Sequence, residues 1–223
     1  MKKIVFVFMI LAIGLTLTAC GSSGTEKSSV STAPVVQTEA EQSGTKEETD
    51  EMEPSSDETE TKALVVYFSA TGNTRTVAET LAELQAADIY EIVPQQPYTD
   101  EDLNYNDRST RATVEQNDPD ARPAISGSIT DFEQYDVIYV GYPIWWGDMP
   151  RILYTFFDTY DFEGKTIAPF CTSGGSGLSG TPGTISELET GAEVLDGLHV
   201  SNSEAASAES RIAEWIADIE QTK

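Results

Sequence analysis

Residues 65–77 read VVYFSATGNTRTV, and the fold turns on that stretch. The apolar run Ala63–Phe68 has the continuous character of a strand buried on both faces. It stops at Ser69-Ala70-Thr71-Gly72-Asn73-Thr74. The chain then places Val77, Ala78, Leu81, Ala82 and Leu84 at helical spacing. The turn between strand and helix is polar and free of lysine, and its nearest cation is Arg75. Gly72 lets backbone approach closely, hydroxyls at Ser69, Thr71 and Thr74 can donate to an anion, and the helix start offers unpaired N–H groups at its positive end. These features describe a phosphate cradle made of neutral dipoles. It is not a Walker loop, because no Gly-Lys-Ser/Thr follows. The alternative is an N-cap decorated beyond need.

Working outward, Asp88–Val93 alternates and stops at Pro94, while Val137–Tyr142 and Thr166–Cys171 are continuous apolar runs and Val194–Val200 a weaker one. Pro150–Tyr160 sets Ile152, Leu153, Phe156 and Phe157 on one helical face, with Pro150 suited to start it. A closing helix over about Glu204–Glu220 carries Ala208, Ile212, Trp215, Ile216 and Ile219. Strands that alternate with helices imply a doubly wound, five-stranded parallel α/β sheet with helices on both faces. Pro169 falls in a strand placed centrally, where it removes a ladder donor, so a bulge or a shorter strand is expected there. Pro97–Pro123 is mostly polar, and Thr99-x-x-Asp102 offers a cap for a short helix.

Ligands of open parallel sheets bind beyond the carboxyl ends of the strands. Two further loops lie there. In Gly141-Tyr142-Pro143-Ile144-Trp145-Trp146-Gly147-Asp148, adjacent tryptophans suit stacking on a flat aromatic ligand, with Gly147 leaving room for its backbone; either tryptophan can instead cap the core. In Cys171-Thr172-Ser173-Gly174-Gly175-Ser176-Gly177, unobstructed backbone N–H and C=O groups suit the polar edge of a heterocycle, unless the segment is simply a flexible surface loop. Phosphate, aromatic plane and polar ring edge together describe a flat-ringed mononucleotide.

On these residues the chain resembles a flavodoxin. Ser69–Thr74 matches the Ser/Thr-x-Thr-Gly-Asn-Thr phosphate loop of that family, Trp146-Gly147-Asp148 resembles its tryptophan-containing ring loop, and Thr172–Gly177 falls at its second ring loop. The likeness runs from Lys62 to about Trp215, and is greatest to a short bacterial flavodoxin-like group. It implies strand order 2-1-3-4-5 and non-covalently held FMN. The implied binding residues are Ser69, Ala70, Thr71, Gly72, Asn73, Thr74, Pro143, Ile144, Trp145, Trp146, Gly147, Thr172, Ser173, Gly174, Gly175, Ser176 and Gly177. Many flavodoxins cover the outer ring face with a tyrosine in the second ring loop; here that loop has no aromatic residue. A Thr-x-Gly-Gly loop is also similar to that of flavodoxin-fold quinone reductases.

Charge excludes some partners. The net charge is −25. This counts against nucleic acid and against docking on anionic lipid through a basic face. Met1-Lys2-Lys3, the apolar stretch Ile4–Ala19 and Leu17-Thr18-Ala19-Cys20 resemble a lipoprotein signal peptide (residues 1–19) with its lipobox, so Cys20 is expected to carry acyl chains. Residues 21–61 lack aromatics and hold eleven acids against two lysines, which reads as a disordered acidic tether. The domain, 62–223, keeps 27 acids against nine lysines and arginines. Cys171 has no disulfide partner once Cys20 is lipidated, and it reads as buried and inert. His199, the one histidine, reads as structural. Arg108, Arg111 and Arg122 pair with nearby acids or form a patch for an anionic partner or the flavin phosphate. No metal site is expected.

Three functions fit this reading. The first is an electron carrier on the outer face of the cell membrane, working between redox partner proteins. The second is an FMN-dependent NAD(P)H:quinone-type oxidoreductase. The third is a non-redox FMN-binding module. The tether favours the carrier through local concentration, as does the scarcity of nicotinamide cofactor outside the cell. The missing aromatic favours the reductase.

Overall fold

The structure, a computed structural model, describes residues 61–221. The expected signal peptide, the lipidated Cys20 and all but the last residue of the tether lie outside the described residues.

Five strand positions build one parallel sheet. Strand β1 (Ala63–Tyr67) is central and pairs with β2 (Asp88–Glu91) on one side and β5 (Val137–Pro143) on the other. Next comes β6 (Thr166–Ser173), and the fifth position is shared by β7 (Glu193–Val194) and β8 (Leu198–Ser201). The order is therefore the expected 2-1-3-4-5, with the last strand in two pieces. One core packs Leu64, Val66, Ile138 and Val140 with Ile152, Phe156 and Phe162. The other packs Val65, Tyr67, Tyr139 and Phe170 with Val77, Leu81, Ile212 and Trp215. Alternate residues of each strand thus enter opposite cores, which is why β1 and β5 read as unbroken apolar runs. Helices α1 (Asn73–Gln85) and α5 (Glu209–Glu220) cover one face, and α3 (Arg151–Phe157) covers the other.

The expected irregularity at Pro169 is displaced by one strand. Strand β6 runs unbroken for eight residues and pairs Val140 with Pro169. The bulge lies opposite: β7 pairs Val194 with Ile167 and β8 resumes with Leu198 at Phe170, so Leu195–Gly197 face only Ala168 and Pro169. An extra residue in one strand frees backbone groups from the ladder. The Asp196 carbonyl accepts the Trp215 indole N–H at 2.9 Å. Gly197 keeps this approach close, since a Cβ there would stand 2.8 Å from a Leu178 methyl and 3.0 Å from the Pro169 carbonyl oxygen, so neighbours would have to shift.

Other boundaries also differ from the sequence reading. The run Asp88–Val93 is not one strand. β2 ends at Glu91, the Ile92 N–H donates to Tyr67 O at 2.7 Å, and β3 (Val93–Pro94) leaves to pair antiparallel with β4 (Ile125–Ser126). Thr99 and Asp102 exchange the expected capping bonds, Asp102 N–H to Thr99 Oγ1 at 3.2 Å and Thr99 N–H to Asp102 Oδ2 at 3.0 Å. They close a turn, and the helix of this region comes later as α2 (Arg111–Asn117). Helix α4 (Thr181–Leu188) has no counterpart in the sequence reading, because it buries only Thr181 and Ile185 and so shows no apolar stripe.

Candidate functional site: a cleft at the carboxyl ends of the strands

The turn after β1 is held in shape by its own atoms. Gly72 sits at φ 91°, the left-handed region that favours glycine, with open space around it. Its N–H donates to Ser69 Oγ at 3.1 Å. The first bond of α1 runs from Thr76 N–H to Gly72 O at 3.0 Å, so among the described residues the amides of Asn73, Thr74 and Arg75 have no acceptor at the positive end of a 13-residue helix. Asn73 Nδ2 donates to Thr71 Oγ1 at 3.4 Å. Thr74 is buried, and its hydroxyl meets that of Thr172 at 2.9 Å. Arg75 is drawn away by Glu91 and by the Tyr67 hydroxyl. The cradle therefore owes its character to backbone dipoles and hydroxyls.

After β5, Trp145–Asp148 form a closed two-residue turn. Trp145 N–H donates to Asp148 O at 2.8 Å and Asp148 N–H to Trp145 O at 3.0 Å, with both central residues at positive φ (Trp146 48°, Gly147 82°). That geometry matches the twist of tight hairpins and separates the two tryptophans. Trp145 turns inward and packs edge-on against Phe68 and Tyr98, with centroids at 5.6 and 5.3 Å. Trp146 remains 48% exposed. Asp148 is spent on bracing: its carboxylate accepts Met149 N–H and the Tyr154 hydroxyl, each at 2.8 Å. Burial and that carboxylate push the Tyr154 phenol up to about 12. From α2, Gln116 Nε2 donates to Met149 O at 3.0 Å and so supports the turn from behind.

After β6, the strand itself carries Thr172 and Ser173, both buried. Ile144 N–H donates to Thr172 O at 3.0 Å, which joins the two ring loops. Ser173 Oγ accepts the N–H of Gly175 at 3.3 Å and of Ser176 at 3.1 Å, and meets His199 Nε2 at 2.8 Å. The Cys171 thiol donates to Gly177 O at 3.4 Å, and burial pushes it up to about 12.

These loops enclose a cleft of about 470 Å³. Of the expected site residues, Ala70, Thr71, Pro143, Ile144, Trp145, Trp146, Thr172, Ser173 and Gly174 line it. Ser69, Gly72, Asn73, Thr74, Gly147, Gly175, Ser176 and Gly177 are not in its lining; several of them set the shape of the loops instead. The sequence reading missed Leu103, Tyr105, Ala112 and Asn202. Tyr105 is 72% exposed and supplies an aromatic side chain to the lining beside Trp145 and Trp146, from the polar stretch before α2. Its signal was one of two tyrosines, with Tyr98, in a polar segment with no period. Arg111 is bound to Glu115 and to Gln96 O, each at 2.7 Å, and Arg122 to Asp158 at 2.6 Å, so both serve the fold. A wider hollow of about 640 Å³ lies at the other end of the sheet, by Lys62, Gln85 and Tyr139, and none of the three loops reaches it.

An open parallel sheet of this order, with a hydroxyl-rich anion turn after its first strand and tryptophan and glycine loops after the next two, defines the flavodoxin-like class of α/β proteins. The flavodoxin family model matches residues 62–219, and the chain belongs to that family. It is 40% identical to a candidate flavoprotein from Bacteroides eggerthii, with a TM-score of 0.67, covering 71% of this chain and 98% of that one. A second candidate flavoprotein, from Bacteroides uniformis, is 38% identical, with a TM-score of 0.66 and coverage of 70% and 98%. A flavoprotein from Lactobacillus acidophilus, solved in complex with FMN, is 25% identical, with a TM-score of 0.52 and coverage of 65% and 95%. No curated protein matches the chain.

Proposed function

We propose that the domain binds FMN non-covalently in this cleft and serves as an electron-transfer protein, held on the outer face of the bacterial membrane through lipid at Cys20. The residues present fit the group. The free amides at the start of α1 and the Thr71 hydroxyl suit a phosphate, exposed Trp146 suits a ring face, and Ser173 and Gly174 suit a polar ring edge. FMN, when bound, supplies one- and two-electron redox chemistry. The chain's part would be to hold and orient it, with Leu103 and Ile144 supplying apolar surface in the cleft that would exclude water.

One observation favours a carrier. Among the described residues, the cleft lining contains no ionisable side chain apart from the Tyr105 phenol. Electron transfer between proteins asks only for a held cofactor and an accessible edge. Reduction of an organic acceptor usually draws on a placed proton donor. The reductase remains the second reading, because 72%-exposed Tyr105 leaves the mouth open to a second molecule. Anaerobic titration separates the two. A carrier takes electrons from a chemical reductant in two resolved one-electron steps and is reduced slowly, if at all, by NADH or NADPH. Fast reduction by a nicotinamide in a single two-electron step assigns a reductase.

The anchor is tested apart from the cleft. Cys20→Ala releases the protein to the soluble fraction if lipid holds it. Retention of unprocessed chain in the membrane fraction refutes lipid anchoring.

A further inference from the structure

Ser173 Oγ carries more partners than a hydroxyl can serve without order. A serine oxygen has one proton and two lone pairs. The amides of Gly175 (3.3 Å) and Ser176 (3.1 Å) both donate to it, which fills the lone pairs. The third partner, His199 Nε2 at 2.8 Å, must then be an acceptor. That fixes the imidazole as neutral with its proton on Nδ1. His199 lies outside the cleft lining, while Ser173 lies within it.

We infer that His199 is a positioning residue for the loop 173–177, and that its protonation releases that loop. An imidazolium presents Nε2–H to Ser173 Oγ. The oxygen then faces three donors with two lone pairs, so one of the two amide bonds breaks. The serine proton loses its acceptor and swings away from the histidine. No bond to carbon changes; one proton is taken up from water at Nε2, because Nδ1 already carries one. The loop's two ends are held independently of Ser173 Oγ, by Asn202 N–H at Ser173 O (3.0 Å), Ser179 Oγ at Ser176 O (3.1 Å) and the Cys171 thiol at Gly177 O (3.4 Å). The freed stretch is therefore Gly174 and Gly175, where a Cβ would meet nothing and Gly175 has φ 148°.

Among the described residues the His199 ring bonds to Ser173 Oγ alone. The paired residue on β6 is Cys171, whose buried thiol stays neutral. Residues 174–180, packed on that face, carry no charge, and Glu187 of α4 is exposed. Among the described residues no carboxylate forms an ion pair with the ring.

The test uses the full chain, in which His199 is the only histidine and gives a single set of imidazole signals. Nitrogen NMR should show the Nδ1–H tautomer at neutral pH. On acidification the Gly175 and Ser176 amide signals should move with the same midpoint as the imidazole. In Ser173→Ala they should no longer follow it. In His199→Gln, whose side-chain carbonyl accepts the serine proton, they should stay in their neutral positions throughout. The Nε2–H tautomer at neutral pH, or amides that ignore the imidazole, overturns the proposal. Its consequence for the cleft rests on the FMN reading: affinity for FMN should fall about two- to tenfold through the same interval, the size of one lost neutral hydrogen bond, and stay flat in His199→Gln. Affinity that is flat or rises at acid pH in the natural chain also overturns it. A cleft that binds no FMN at any pH would sink the FMN reading alone, because the tautomer and the amide titration stand without ligand.

Discussion

Thr74 Oγ1 and Thr172 Oγ1 lie 2.9 Å apart, and both side chains are buried. The contact ties the turn after β1 to the end of β6, although 98 residues separate the two in sequence. A buried hydroxyl stripped of its partner loses about 1–3 kcal/mol. Thr74→Val should therefore lower the unfolding free energy measured in urea by that order. Thr74→Val with Thr172→Val should cost less than the sum of the single changes, since no hydroxyl is then left alone. Additive losses would show that the two hydroxyls find separate partners.

Thr71 stands differently: it lines the cleft and is exposed. Thr71→Val should leave stability nearly unchanged and cost FMN binding about 1.5–3 kcal/mol, the range for a hydrogen bond to a charged group. Riboflavin, which lacks the phosphate, should bind almost as before. Arg75→Gln is the control. Its guanidinium is engaged by Glu91 and Tyr67, so the ratio of FMN to riboflavin affinity should not change. Calorimetry on both ligands measures all four numbers.

How much of this was legible in the sequence follows the physics of each element. The strands facing two cores announced themselves, because β1, β5 and β6 must be apolar at nearly every position. The turn Ser69–Thr74 was legible because its function lies in residue type and local order. The stretch before α2 was not: it is built from Asx-type bonds such as Ser109 N–H to Asp107 Oδ1 at 2.8 Å, which leave no period. Tyr105 was lost with it. The different fates of Trp145 and Trp146 were hidden too, since they depend on two positive φ angles and not on composition. The bulge opposite Pro169 was expected in kind and misplaced by one strand, because a missing donor can be accommodated on either side of a ladder.

That difference between the tryptophans is measurable. Trp145→Ala removes a ring wedged between Phe68 and Tyr98, and should destabilise the domain by about 2–4 kcal/mol, within the range for large core truncations and below their maximum because the ring is only partly buried. Trp146→Ala should leave the unfolding free energy within about 0.5 kcal/mol of the natural chain, as exposed positions do. FMN should quench Trp146 fluorescence strongly, and its affinity should fall in Trp146→Ala. Equal destabilisation by both changes would mean the turn packs as a unit.

The folded domain should be specifically weak in alkali. Burial raises Tyr139 from 10.0 to about 12, and its hydroxyl donates to Gln85 Oε1 at 3.1 Å. Burial first, then Asp88, takes Tyr135 to about 12 as well, and Cys171 rises from 9.0 to about 12. Tyr142 is raised too; it is fully buried and bonded to Thr181 at 2.8 Å. In each case the fold favours the neutral, protonated form. The folded chain therefore binds more protons than the unfolded one once pH passes the unfolded values, and stability falls as pH rises. Their contribution is complete below about pH 9 and is lost progressively between about 9 and 12. The urea midpoint should be level from pH 7 to 9 and then drop, with tyrosinate absorbance appearing together with unfolding. Tyr139→Phe keeps the ring and removes the phenol, so its midpoint should fall less steeply across the same interval. Tyrosinate that forms well before any loss of structure would show that these phenols reach water in the native state.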